Sequence, residues 1–526
     1  MATVRPGALG CACAACLTVL GTSFATGTEG PLSAIDWLND PAPISLTEPL
    51  QTALPAVPAR ADAAGEGARV PEVEVSPLAA QQPDAAGLLS SASTGLPPTL
   101  WRESGIDTVA ALISRLPPDP LPALQALYYT LLLAEAEAPA DTGADARFLH
   151  ARIDALRKLG AVDPALALLD QAGPAGTMVF DRWFDLSLLA GTEDVACSAL
   201  ADRPDLTRRY DARVFCHARA GDWQTAALTY ETALALDVLE PGTENMLAAF
   251  LDPELIEDMP PLAPSSTAMT PLIFRLHEAV GTPLPTTNLP REYAVADLRG
   301  LSGWKAEIEA AERLTHTGAL PANQLLGLYT SQAPAASGGV WERTAGVQAL
   351  ESALEDNDTA AVARILPSLW DGMRREGLAV AFATLFADRL AMMQLDQTTR
   401  ALAFRIALLS PQYESIAPGL SSTAPRDRFL ISLARGAPDA TLANSSGEHA
   451  VSAGFSTGGR PSSDHADLLD AGRLGQAILL AALQLDAAGP NAVSDIEAGL
   501  ATLRAVGLED TARRAALEIL LLRAAS

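Results

Sequence analysis

Beyond Leu100 apolar side chains recur every three or four residues along most of the chain, the period of helices that bury one face. Leu121 to Ala136 carries Leu124, Leu127, Tyr128, Leu131 and Leu132 in that rhythm, and Asp145 to Leu159 carries Phe148, Leu149, Ile153 and Leu156. Helical windows of similar size follow from Thr270 to Val280, Trp304 to Thr315, Val340 to Leu354, Asp358 to Arg375, Leu378 to Leu390 and Thr398 to Leu409. Three more, Ala466 to Leu485, Ala492 to Val506 and Glu509 to Leu522, close the chain. No segment alternates with period two, so the pattern predicts an all-α fold.

Three segments share a finer spacing. Gly160 is followed by Ala165 and Leu169, Gly191 by Ala196 and Leu200, and Gly221 by Ala226 and Tyr230, with the glycines about thirty residues apart. In the third copy, Gly221 to Asp237, the residues Ala226, Tyr230 and Ala233 lie on one helical face. The two alanines admit a neighbouring helix closely, and one such hairpin cannot bury its own face.

This third copy resembles the tetratricopeptide repeat, whose second helix carries Gly-Asp-aromatic and then Ala, aromatic and Ala at these spacings. Val238 stands where that family closes with Pro, and Val214 where it has a small residue. The resemblance covers roughly ninety residues and implies an α-α superhelix, a degenerate tetratricopeptide-like solenoid of helical hairpins. The chain is also similar to exported helical-repeat proteins of high-GC, alphaproteobacterial-type bacteria. In the repeat family the first helix of each hairpin lines a groove for a protein or peptide partner. On the matching helix Arg208, Asp211, Phe215 and Arg219 are expected on one side, where two guanidinium groups around an aromatic suit a peptide carboxylate or an acidic segment.

Charge narrows the partners. With 36 basic and 63 acidic residues the net charge is −27, which speaks against nucleic acid and anionic membrane surfaces. The N-terminus reads as an export signal: Arg5, the apolar run Ala8 to Leu20, and Ser23-Phe24-Ala25 before a cleavage site. That run is too short for a permanent span, so the expectation is a periplasmic protein cleaved after Ala25, with no integral membrane segment. Two cysteines then remain, Cys197 and Cys216, on consecutive helices of neighbouring repeats. In an oxidising compartment they are candidates for a disulfide that staples the array.

The expected organisation is a signal over 1–25, a Pro/Ala-rich disordered tether with a Trp37 island over 26–99, and the helical-repeat solenoid over 100–435. A flexible Gly/Ser-rich loop over 436–463 and C-terminal helices over 464–526 complete it. Asp356-Asn357-Asp358 reads as a turn with a helix cap, since the later ligands of a calcium loop are missing.

One catalytic pattern occurs. Gly454-Phe455-Ser456-Thr457-Gly458 matches GxSxG, with His449, Asp464 and His465 nearby. A nucleophile elbow needs a buried strand before the serine, and Ser445 to Ser452 is polar. The six histidines show no paired-ligand spacing, and neither a phosphate loop nor a dinucleotide fingerprint is present, so no catalytic, metal or cofactor residue is expected. The sequence favours a non-enzymatic periplasmic scaffold or adaptor. The alternative is a hydrolase, either at Ser456 or as an α-superhelical enzyme acting on a cell-wall polymer.

Overall fold

The computed structural model describes residues 83–174, 176–254, 269–419, 422–456, 459–489 and 492–523. The expected export signal, the Trp37 island and most of the expected tether lie outside the described residues. The fold is all-α: among the described residues the sole β-type pairing is an isolated bridge between Leu89 and Ala134.

Most helices pack against a neighbour in the chain. A short α1 (Ser91–Thr94) precedes α2 (Ile106–Ser114) and α3 (Pro122–Leu133). Then come α4 (Arg147–Lys158) with α5 (Val162–Ala172), α6 (Phe180–Ala190) with α7 (Glu193–Asp202), and α8 (Tyr210–Arg219) with α9 (Trp223–Ala235). After α10 (Pro241–Leu251) come α11 (Pro271–Ala279), a 3-10 helix Arg291–Arg299, α12 (Trp304–His316) and α13 (Ala322–Thr330). The next group is α14 (Val340–Glu355), α15 (Thr359–Arg375), α16 (Ala379–Met392) and α17 (Gln397–Ala407). Last are α18 (Tyr413–Ile416), α19 (Pro425–Ala434), α20 (Ser446–Phe455), α21 (Ser463–Asp470), α22 (Leu474–Ala487), α23 (Val493–Ala505) and α24 (Glu509–Glu518).

One turn makes most of these pairs. Gly221 takes φ +80°, a left-handed conformation that costs a side-chain-bearing residue about 1–2 kcal/mol, and the next N–H, of Asp222, reaches back to the carbonyl of His217 at 2.9 Å. Asp222 then caps α9 by accepting from the Thr225 amide at 3.1 Å. Gly160 and Gly191 close their hairpins the same way, as the period of the three copies predicts. So do Gly281, Gly318, Gly377, Gly436, Gly472 and Gly507, with the returning hydrogen bond between 2.8 and 3.0 Å in every case. At α14–α15 the role falls to Asn357, φ +52°, and Asp358 caps α15 from the Ala361 amide at 2.9 Å.

Two corrections to the expected organisation follow from buried side chains. The tether does not extend to residue 99, because residues from Pro83 onward already pack against the helices. The Asp84 carboxylate accepts from the Leu149 amide at 2.6 Å, and the buried Arg152 guanidinium donates to the carbonyls of Asp84, Ala86 and Leu132. Nor is 436–463 one flexible loop, since Ser446–Phe455 is helix α20. Its polar start is a capping box, in which Ser445 accepts from the Glu448 amide while Glu448 accepts from the Ser445 amide. Small residues let it close on α23: a side-chain carbon at Gly454 would sit 3.0 Å from Leu500 Cβ.

The order of packing also differs from an open stack. One core cluster joins α2 to α11 with the helices from α19 onward, and a second fills α12 to α17. The last helices return to the first, with α3 packed against α22 and α24.

Candidate binding groove

An opening of about 900 Å³ lies between α7, α8 and α9. Its floor is the disulfide joining Cys197 of α7 to Cys216 of α8, with Cα atoms 5.1 Å apart. Tyr210, Arg213 and His217, spaced three and four residues apart on α8, form one wall, and Leu228, Thr229 and Thr232 of α9 form the other. The α9 wall is unusually bare. Among its thirteen residues only Ala226 and Ala233 are buried, and Leu228 is 69% exposed.

The charges of the groove are fixed by their partners. Arg213 donates to the carbonyls of Pro204 at 2.8 Å and Thr207 at 2.6 Å and stacks over Tyr210 at 5.6 Å, with no carboxylate within ion-pair range among the described residues. Arg219 closes one end, bonded to Asp194 at 2.6 Å. Behind it the buried Glu193 carboxylate is held by Arg275 at 2.6 Å and lies 3.6 Å from Arg219. Asp194 is the one acidic lining residue, so the groove is locally cationic on a strongly acidic chain.

The expected set Arg208, Asp211, Phe215 and Arg219 is not a common face. Phe215 is buried, stacked on Phe250 at 5.8 Å and edge-on to Phe184 at 6.2 Å. Asp211 is half-buried and bound to Arg209 at 3.0 Å, which also holds Asp185 at 2.7 Å. Burial raises the Asp185 carboxyl above its usual value while Arg209 pulls it down. Arg208 is exposed just ahead of α8, and of the four only Arg219 lines the groove. Phe215 alone of the four faces the core, and the groove side of α8 is offset from it and carries Tyr210, Arg213 and His217. Cys216 was the available signal, because a bond to α7 turns toward α7 whichever residues flank Cys216 on that side, here Arg213 and His217.

Ser456 lacks the setting an elbow requires. It ends α20, exposed, and no strand precedes it among the described residues. His449 is exposed, and His465 is buried with its Nδ1 2.8 Å from the Thr502 hydroxyl. Burial lowers the His465 pKa, favouring the neutral ring. Among the described residues no three His, Cys, Asp or Glu side chains are grouped to hold a metal ion, and no helix is long and apolar enough to cross a membrane.

No family model, curated protein or solved structure matches the chain.

Proposed function

We propose that the chain is a non-enzymatic periplasmic scaffold or adaptor of tetratricopeptide-like hairpins that holds a protein or peptide partner in the groove between α7, α8 and α9. The observation that carries this reading is the uncovered α9 wall. Exposed Leu228 faces a wall bearing Arg213 and His217, an arrangement that fits an extended segment with an apolar side chain and an acidic group. The Cys197–Cys216 bond supports an oxidising compartment, and the export signal agrees with it.

The test is site-specific photo-crosslinking in periplasm, with the crosslinker at Leu228 or at Leu301, which is exposed but outside the groove. A single adduct formed from position 228 and lost on Arg213→Gln supports the reading. Identical adducts from both positions would overturn it.

A further inference from the structure

A second opening, of about 510 Å³, lies where the end of α4 meets the 3-10 helix Arg291–Arg299 and α12. Its charged lining is Asp154, Arg157, Lys158, Arg291, Glu292 and Arg313, four cations against two anions in a chain where acids outnumber bases. Both anions are already bound. Glu292 takes a two-pronged contact from Arg157 at 2.6 and 3.0 Å, and Asp154 takes one from Arg182 at 3.1 and 3.0 Å. Arg291 is neutralised as well, donating to the Asp119 carboxylate at 2.6 Å and the Pro118 carbonyl at 2.5 Å.

Lys158 and Arg313 are left with no carboxylate within ion-pair range among the described residues. The Lys158 ammonium donates to the Leu116 carbonyl, which uses one of its three donors. Arg313 donates to the carbonyls of Thr286 and Leu289, both at 2.8 Å, so its guanidinium is fixed in place without being neutralised. Burial and the neighbouring Arg291 hold its pKa below the usual arginine value, against Asp297, which acts from outside ion-pair range and raises it.

We propose that this cleft binds a doubly charged oxyanion, a phosphate group free or as a small monoester, between Lys158 and Arg313. Two cations without an ion-pair partner lining one cleft are matched by two charges on one compact group, whereas a carboxylate brings one. The fixed guanidinium supplies paired donors and the exposed lysine a mobile point charge, a division of labour suited to phosphate. The volume leaves room for an organic remainder beside the phosphate.

The experiment is calorimetric titration of the full chain at pH 8 with inorganic phosphate, glycerol phosphate and acetate at matched ionic strength. Both phosphates are expected to bind at a single saturable site and acetate to give no saturable heat. Tighter binding of glycerol phosphate assigns the site to an ester, and equal binding assigns it to the free ion. Lys158→Gln and Arg313→Gln should each weaken binding at least about tenfold. Arg313 ties two backbone segments together, so the exposed Lys158 supplies the variant that keeps the fold. Lys305→Gln, which removes a surface partner of Glu309, should bind as the parent does. Acetate matching phosphate, or Lys158→Gln retaining full affinity, would overturn the proposal.

Discussion

Glu518 Oε2 lies 2.9 Å from the backbone nitrogen of Ala123, so a carboxylate from the end of α24 binds the first turn of α3. Asp486 of α22 adds to the same junction, accepting from the Leu121 amide at 3.0 Å, from Arg523 at 2.8 Å and from the Tyr128 hydroxyl at 3.3 Å. Both acids serve the positive end of a helix whose own cap residue, Leu121, has no side-chain acceptor. The return of the chain onto α3 is thus polar at its centre as well as apolar around it.

That junction makes stability depend on pH. Burial pushes the Glu518 carboxyl up to about 7, with Asp486 adding to the rise, against the Ala123 amide, Arg514 and Arg523, which lower it. An unfolded glutamate titrates near about 4.3. Between these values the folded chain holds a proton that the unfolded chain has released, so stability is fullest below about pH 4.3 and falls as pH rises through 7. Glu518→Gln keeps the acceptor without the charge. Urea unfolding at pH 5 and pH 8 should show the parent losing on the order of 3 kcal/mol that the variant keeps. Identical slopes for the two proteins would remove Glu518 as the cause; Asp486, raised by its own burial, contributes in the same direction to both.

The hairpin glycines divide into two groups by what surrounds them. At Gly221 an added Cβ would meet nothing within 4 Å, so Gly221→Ala should cost only the left-handed penalty, about 1–2 kcal/mol. At Gly160 the same carbon would lie 2.7 Å from Leu314 Cδ2 and 2.9 Å from Arg291 Cγ. Gly160→Ala should therefore cost roughly 2 kcal/mol more than Gly221→Ala, because packing strain adds to the backbone term. Equal losses in paired chemical denaturation would show that α12 and the 3-10 helix do not press on this turn.

The helical class was legible because it rests on local periodicity, and so was the glycine turn in the three copies that keep the thirty-residue spacing. The later copies, such as Gly318 and Gly377, keep the turn and lose the spacing, since 3-10 segments and extra helices intervene. Helix α20 was hidden because Ser445 to His449 is polar, and a capping box looks like a loop unless Glu448 is read as the reciprocal partner of Ser445. The groove was misplaced by rotation alone, with α8 found and its exposed face wrongly chosen. Contacts such as Glu518 to Ala123 had no signal at all, because nothing periodic relates residues so far apart.

The disulfide closes a loop of 19 residues in sequence separation, from α7 to α8. Reducing it should remove about 3 kcal/mol of local stability by restoring freedom to the unfolded segment. If the helical hairpins act as separate repeat units, although one core joins α7 and α8 to α22 and α23, such a loss stays near its source. Hydrogen exchange with and without reductant should speed up in α7 and α8 while α22 and α23 remain protected. Uniform acceleration across the chain would mean that the helices unfold as one cooperative unit and that the repeat description of their energetics is mistaken.

Two residues two positions apart on α9, and so on different sides of the helix, separate the fold from the surface. Ala226 has no exposed area, and its small side chain is what lets a neighbouring helix come close. Ala226→Leu inserts three carbons into that contact and should cost about 1–3 kcal/mol. Leu228 is open to solvent, so Leu228→Ser should alter stability by less than about 0.5 kcal/mol. If the groove serves a partner, the second substitution is the one that removes an adduct formed from a crosslinker at Thr232, on the same wall, while the melting temperature stays put. A Leu228→Ser protein that melts markedly lower would instead place this leucine in packing within the chain, and the uncovered α9 wall would no longer argue for a binding surface.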